Sequence, residues 1–457
     1  MHDPVVRPRL TLAVVLLTAL IFPLAITGPS VALPHLQREL SASLTSVQWV
    51  ITGYNTTFAA GLTFAGALAD RFGHRQLFMV GTGLFTVAGL GAAVAPSILV
   101  VDLCRVLGGF GAAAAAAAGT SLIVGAFQGR ARSKAFGLQG TALGLGMAFG
   151  PTVCGVIVAA GGWRPVLAVP AAVAGLACLA ALALPRPVRG TPQPADWAGG
   201  LLFTVALLIT ITVLVEAPVW GPRSPLLWGL LAAAIAVTVT FLLVERRVAH
   251  PMLPIDILLD PRFAGYALTS GVMMAVMVPQ VVQIPTHLDQ QGVGAAQIGL
   301  WLLALTLPPM VLPPIGARIA ISHPRALVVT ALALAAAGTL LMGWNSDRLP
   351  MVISLLATGI AVGLTLGVTD GLAMAVVDPA RVGAASGLLS TVRMTVETIS
   401  LALSGSVVAF ALTRPGATFA DALQTMCLCL AVAGAIGAVF VARLLRTGVR
   451  ATNVSAT

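Results

Sequence analysis

The chain has 457 residues, of which 58% are hydrophobic and 9% charged, with a mean hydropathy of +0.99. Soluble domains are about a quarter charged, so a water-soluble enzyme or binding module is excluded and an all-α polytopic membrane protein is expected. The formal charge of +10 does not point to nucleic acid, because the basic residues are scattered over short loops between apolar runs, where they set orientation in the bilayer.

Each crossing takes about 20 apolar residues to traverse roughly 30 Å of hydrocarbon, and its amides have no water to bond, so each run is expected to be helical. The first, about residues 10–34, follows Arg7 and Arg9. It is far longer than the 7–15 residue core of a secretory signal and is expected to stay as an uncleaved span. Further spans are expected near 46–69, 77–96, 98–127, 135–160 and 165–185. The polar stretch 185–196, rich in Pro and Arg, then interrupts the pattern. Two spans follow near 197–216 and 226–244, and after the polar stretch 245–263 come six more, near 264–286, 297–320, 326–343, 350–377, 383–411 and 420–442. The expectation is therefore 14 transmembrane helices (14 TM).

An even count places both termini on one side of the membrane. Eighteen of the 25 Lys and Arg fall on the side of the termini, five on the other, and two, Arg105 and Arg393, inside spans. Positive loops stay inside, so both termini are expected in the cytoplasm and the chain in the inner, cytoplasmic membrane. Three segments follow: residues 1–190 as an N-terminal six-helix bundle, 191–250 as two extra transmembrane helices, and 251–457 as a C-terminal six-helix bundle with its preceding cytoplasmic linker. An internal repeat supports the division, since GALADRFGHR (66–75) aligns with GARIAISHPR (316–325) at a shift of 250, with Gly66, Ala67 and Arg75 recurring as Gly316, Ala317 and Arg325.

Cys104, Cys154, Cys178, Cys427 and Cys429 all lie in apolar runs and are expected to pack as small hydrophobes; no metal site and no cofactor is expected. An ATP-driven pump is disfavoured, because a phosphate loop needs Gly-Lys-Ser/Thr and the one lysine, Lys134, lies between Ser133 and Ala135. A zinc hydrolase is disfavoured too, since His-Glu-x-x-His is absent and the six histidines map to loops or span ends.

The polar knot GALADRFGHRQL, Gly66 to Leu77, places Asp70, Arg71, His74 and Arg75 between two spans. Its pattern, with Gly66, Leu68, Asp70, Arg71, Gly73 and Arg75, resembles the loop signature of the major facilitator superfamily. Further resemblances lie in RVLGGFG (Arg105 to Gly111) and in GLGMAFGPTVCG, where Gly146, Gly150, Pro151 and Gly155 match the seam motif of antiporting members. With the extra central pair, the chain is similar to that superfamily's 14-span drug:proton antiporter branch. The resemblance implies two related six-helix bundles around a midplane site, a cytoplasmic gate in which Asp70 meets the start of the eleventh core helix near Gly383–Ser386, and a flexible seam between the halves.

In span two, Trp49 is either an interfacial anchor or a cavity residue, while Tyr54 and Asn55 are expected to face the cavity. Gln280 and Gln283, three apart in span seven, are expected to face it as well, because amides are costly toward lipid. Span one departs from the branch: LAITGPSVALP keeps Thr27, Ala32, Leu33 and Pro34, but Ala25 stands where the family has an acid and Ser30 where it has Asn. Ala25 carries no proton. The candidates for proton coupling are the acids and bases within spans: Asp102 and Arg105, three apart on one helical face, Asp370, and the pair Arg393 and Glu397, four apart on another.

The expected function is secondary active export of hydrophobic or amphipathic compounds such as drugs, antibiotics or dyes, in exchange for protons by alternating access. The alternatives are a dedicated exporter of one endogenous metabolite and a transport-dead membrane sensor of the same fold. The expected partners are a small hydrophobic molecule, protons and the lipid bilayer, with the chain a monomer and no enzyme.

Overall fold

The computed structural model describes residues 8–184, 196–248, 253, 255–378 and 381–454, except for the side chains at 63, 64, 66, 67, 70, 129, 130, 133, 382–384 and 447–454. The described residues form eighteen α-helices: α1 (Pro8–Thr27), α2 (Pro29–Glu39), α3 (Leu44–Phe72), α4 (His74–Ala93), α5 (Ile98–Ala126), α6 (Gly129–Gly161), α7 (Arg164–Ala181), α8 (Trp197–Trp220), α9 (Pro225–Glu245), α10 (Pro261–Gln290), α11 (Ala295–Thr306), α12 (Pro308–Val311), α13 (Pro313–Ser322), α14 (Pro324–Trp344), α15 (Arg348–Thr365), α16 (Val368–Met374), α17 (Val382–Ala411) and α18 (Phe419–Val454). Among the described residues, twelve helices are long and apolar enough to cross a membrane, which makes this a multi-pass membrane protein.

Twelve of the expected fourteen spans are thus shown among the described residues, and the other two stretches differ for physical reasons. The stretch expected near 46–69 lies in α3, a continuous helix of 29 residues whose first half carries the buried polar side chains Gln48, Thr52, Asn55, Thr56 and Thr57. The stretch expected near 297–320 is broken into α11, α12 and α13. Pro308, Pro309, Pro313 and Pro314 each remove a backbone donor and clash with the preceding turn, which interrupts a helix.

Two units emerge from the packing. One comprises Met1–Val213, Trp220–Met252 and Gly292–Gly299, the other Leu214–Val219, Leu253–Gln291 and Leu300–Thr457. In the first unit, α5 is the central post on which both α3 and α4 pack. Its run GGFGAAAAAAAG presents almost no side-chain bulk, so backbones approach closely, as small residues allow in membranes. A side chain at Gly109 would strike Thr57 and the Tyr54 carbonyl, and one at Gly111 would come within 2.7 Å of the Gly81 carbonyl. In the second unit the post is α10, the most enclosed of the twelve apolar helices, with α14 to α18 packed about it.

Helix ends follow local chemistry. Ser43 caps α3 by accepting the Ser46 N–H at 3.1 Å, and Asp260 caps α10 by accepting the Arg262 N–H at 2.7 Å ahead of Pro261, both standard N-cap arrangements. Between α3 and α4 a single residue, Gly73, turns the chain at φ +92°, a conformation open to glycine at little cost. The repeat position 316–325 echoes this, with α13 ending at Ser322 and α14 starting at Pro324.

Candidate functional site

In the first unit the candidate centre is Arg105 on α5, which is 6% exposed. Its guanidinium donates from Nε to the Val50 carbonyl at 2.7 Å and from Nη2 to the Ala25 carbonyl at 2.9 Å, and it lies 4.1 Å from the centre of the Tyr54 ring. Ala25 explains the geometry. An α-helical carbonyl accepts from the N–H four residues on, and four residues after Ala25 stands Pro29, which has none. The helix breaks there, between α1 and α2. Arg105 supplies the missing donor. Asp102, three residues earlier on the same helix, is half-buried, and its charge acts on Arg105 alongside these bonds. Beside Arg105 lies a cavity of about 20 Å³, lined by Ala25, Pro29, Phe85, Cys104 and neighbouring residues, roughly the room one water needs.

Tyr54 does not offer an open stacking surface. It is fully buried, stacked on Phe58 and edge-on to Phe85. Asn55 is 4% exposed, with both amide atoms lacking a hydrogen-bond partner among the described residues, and Trp49 is half-buried. In the expected gate loop, the side chains of Gly66 and Asp70 lie outside the described residues, as does that of Gly383 in Asp70's expected contact. Arg75 is described: it donates from Nε to the Ala181 carbonyl at 2.9 Å and from Nη2 to the Leu182 carbonyl at 2.6 Å, at the C-terminus of α7. A cation there meets the negative end of the helix. Arg71 is exposed and lies 5.7 Å from the Phe72 ring centre and 5.9 Å from that of Trp197, the first residue of α8.

The glycines of α6 divide their labour. Gly146 and Gly150 seat against α1, at the Leu20 carbonyl and at Thr27 respectively. This corrects the expectation that the whole motif forms a seam between halves. Only its later part meets residues 295–299: Gly155 abuts the Ala295 carbonyl, a side chain at Gly299 would come within 2.7 Å of the Thr152 Cα, and the Thr152 hydroxyl donates to the Gly299 carbonyl at 2.8 Å.

The second unit holds a charged cluster. Arg393 on α17 pairs with Asp370 of α16 at 2.9 Å, while the Ser270 hydroxyl of α10 donates to the other Asp370 oxygen at 3.4 Å. The expected pairing of Arg393 with Glu397 is therefore corrected: the ion pair closes on Asp370. Glu397, one turn further along α17, is 3% exposed and feels the Arg393 charge. Asp370 comes within reach because Gly367, at φ +73°, ends the run of α15 and starts α16. That break sets Asp370 in a first turn, where a helix favours an anion. Sequence reading missed Ser270, since a lone serine in an apolar run carries no pattern.

Gln280 faces its own bundle. Its amide nitrogen donates to the Val276 carbonyl at 3.0 Å and to the Thr339 and Thr358 hydroxyls, both at 3.3 Å, tying α10 to α14 and α15. Gln283 is 7% exposed. Among the described residues there is no group of His, Cys, Asp and Glu that could hold a metal ion.

Known proteins place the chain. The family model described as Major Facilitator Superfamily matches residues 15–280. The puromycin resistance protein pur8 of Streptomyces alboniger is 34% identical over 426 residues, 87% of this chain and 81% of that protein. The methylenomycin A resistance protein of Streptomyces coelicolor is 30% identical over 396 residues, 84% and 82% of the two chains. The multidrug resistance protein Stp of Mycobacterium tuberculosis is 28% identical over 386 residues, 83% and 72%. Among solved structures, a bacterial homologue of the human lysosomal transporter Spinster, inward-facing and unoccupied, superposes with a TM-score of 0.72 at 16% identity, covering 98% of this chain and 99% of its own. The POT family transporter PepTSo gives 0.73 at 15%, covering 96% and 98%. The fold is shared with both, and the chain belongs to the major facilitator superfamily of membrane transporters.

Proposed function

We propose that the chain exports hydrophobic or amphipathic antibiotics in exchange for protons, its two bundles giving alternating access to a midplane site. The relatives named for drug or antibiotic resistance support this reading. Two of them are named for a single antibiotic, which favours a narrow substrate range, down to one endogenous product, over broad drug efflux. A hydrophobic small molecule and protons are then the ligands, and the chain works as a monomer in the cytoplasmic membrane with both termini inside. In this reading α3 and the broken α11–α13 stretch cross as well, giving the fourteen spans of the drug:proton antiporter branch, and Asp70 with Arg71 and Arg75 forms the inner gate.

The observation that carries the coupling is the cluster of two acids and one base, Asp370, Glu397 and Arg393, within one unit. Two carboxylates sharing one guanidinium leave one negative charge to be neutralised in a low-dielectric site, and a proton does this most readily. Outside, the cluster loads a proton; inside, it releases it, and Arg393 redistributes between the two acids. The test is uptake of a panel of neutral, anionic and cationic lipophilic antibiotics into inverted vesicles under an imposed pH gradient. Gradient-driven uptake that Glu397→Gln abolishes at unchanged protein abundance is the expected result. Uptake by that variant equal to the native protein's removes Glu397 from the mechanism, and no gradient-driven flux of any compound removes proton coupling.

A further inference from the structure

The loop signature borders a groove that transport does not account for. Although Gly73 joins α3 to α4 in one tight turn, each helix packs on α5 rather than along the other: a side chain at Gly61 of α3 would come within 2.8 Å of the Ala113 side chain, and one at Gly81 of α4 within 2.6 Å of the Ala115 nitrogen. The two helices therefore stand apart over a cleft of about 780 Å³. Leu68 and Phe72 form one wall, Met79 and Val80 the other, and Phe110 and Ala114 the floor. Phe72 is 50% and Val80 65% exposed, so the cleft opens sideways along the bundle. Among the described residues its lining is apolar except at one end, where Arg75 and Gln76 enter it. Arg75 is fixed there by its two bonds to the α7 carbonyls, Gln76 is exposed, and Arg71, at the end of α3 just outside the lining, is exposed as well.

We infer that this cleft between α3 and α4 is a binding site for one anionic phospholipid, an acyl chain lying over Phe110 and Ala114 and the phosphate meeting Gln76 and the Arg71 and Arg75 guanidiniums. The shape and the charge agree on this occupant. An apolar trough open to hydrocarbon takes a flexible chain, whereas the cationic end selects a negative head group over a zwitterionic one. A hydrophobic antibiotic would fill the trough without using the charged end. The inference rests on the membrane setting and on the loop 66–75 lying at a lipid head-group layer; it does not rest on proton coupling or on export.

The test is native mass spectrometry of the purified full-length protein from nanodiscs holding equal phosphatidylglycerol and phosphatidylethanolamine, so that it fails or succeeds apart from any flux assay. One retained phosphatidylglycerol is expected. Gln76→Glu sets a negative charge beside the phosphate and should lower its occupancy about fivefold, reversing what one basic residue adds at an anionic surface. Ala114→Phe fills the floor and should lower retention of either lipid. Should Ala114→Phe fail to fold, Gln76→Glu alone decides, because it changes an exposed side chain. Equal retention of the two lipids, or phosphatidylglycerol retained equally by the native protein and Gln76→Glu, overturns the proposal. So does displacement of the lipid by a transported antibiotic at its working concentration.

Discussion

Replacing Arg105 by Met tests whether its charge is held by backbone carbonyls of α1 and α3. The native side chain makes two charge-assisted hydrogen bonds, at 2.7 and 2.9 Å, which contribute about 1.5–3 kcal/mol each. The contact with the Tyr54 ring at 4.1 Å adds about 2 kcal/mol when desolvated. Against these stands a cost of about 2.5–3.5 kcal/mol for a charged side chain at mid-membrane depth. Arg105→Met should therefore lower stability by about 2–5 kcal/mol. Part of that loss is the bare Ala25 carbonyl, which Pro29 leaves without a helical donor. Pro29→Ala restores the N–H, so in the double variant this part should vanish. The coupling energy should be about 1–3 kcal/mol, the cost of one unsatisfied buried carbonyl. Reversible unfolding of the four proteins in mixed micelles measures it. Additivity within about 0.5 kcal/mol, the behaviour of independent sites, would refute the proposed link between the proline break and the arginine.

Gly146→Ala places a methyl group against the Leu20 carbonyl and should cost about 1–3 kcal/mol by overpacking. Gly144→Ala, two residues earlier in open space, should gain about 0.5–1 kcal/mol from reduced chain entropy, read as opposite shifts in Tm. Gln280→Leu should weaken the ties to Thr339 and Thr358, at about 0.6 kcal/mol per interhelical bond, and leave the substrate spectrum unchanged; an altered spectrum in the flux panel would return Gln280 to the cavity. At the end of α2, hydrogen bonds from Arg164 and from the Trp163 ring nitrogen, the latter at 2.8 Å, hold the Glu39 carboxyl below its usual 4.5. A lowered acid pKa adds stability above the unfolded value that is lost as pH falls through the folded one. Native Tm should accordingly drop below about pH 4.5, and Glu39→Gln should lower Tm at pH 7 while flattening that acid limb.

Hydropathy made most of the helices legible because a bilayer demands long apolar runs, and the loop motifs lay in short polar stretches that such runs throw into relief. Helix breaks were harder. Pro29, the four prolines at 308–314 and Gly367 were all visible in the sequence, yet a reading by run length passes over them, since apolar character continues through each break. The ion pair was missed for a related reason. Spacing reports neighbours on one helix, so Arg393 was matched with Glu397 four residues away; its partner Asp370 arrives from α16, set in place by the Gly367 break. Likewise a Gly-x-x-x-Gly pattern announces close approach without naming the neighbour, and for Gly146 and Gly150 that neighbour is α1.

The two intramembrane arginines meet the same physical demand in different ways, and the contrast bears on where a proton is carried. Arg105 directs its hydrogen bonds to neutral carbonyls, one freed by a proline. Nothing in those two bonds changes when pH changes, because a carbonyl does not titrate. Arg393 instead binds a carboxylate, with a second buried carboxylate one turn away. Protonating either acid alters the charge that the guanidinium must balance, and Asp370 sits directly after a glycine break where a helix turns easily. The pH-sensitive contact to test first is therefore the one between α16 and α17.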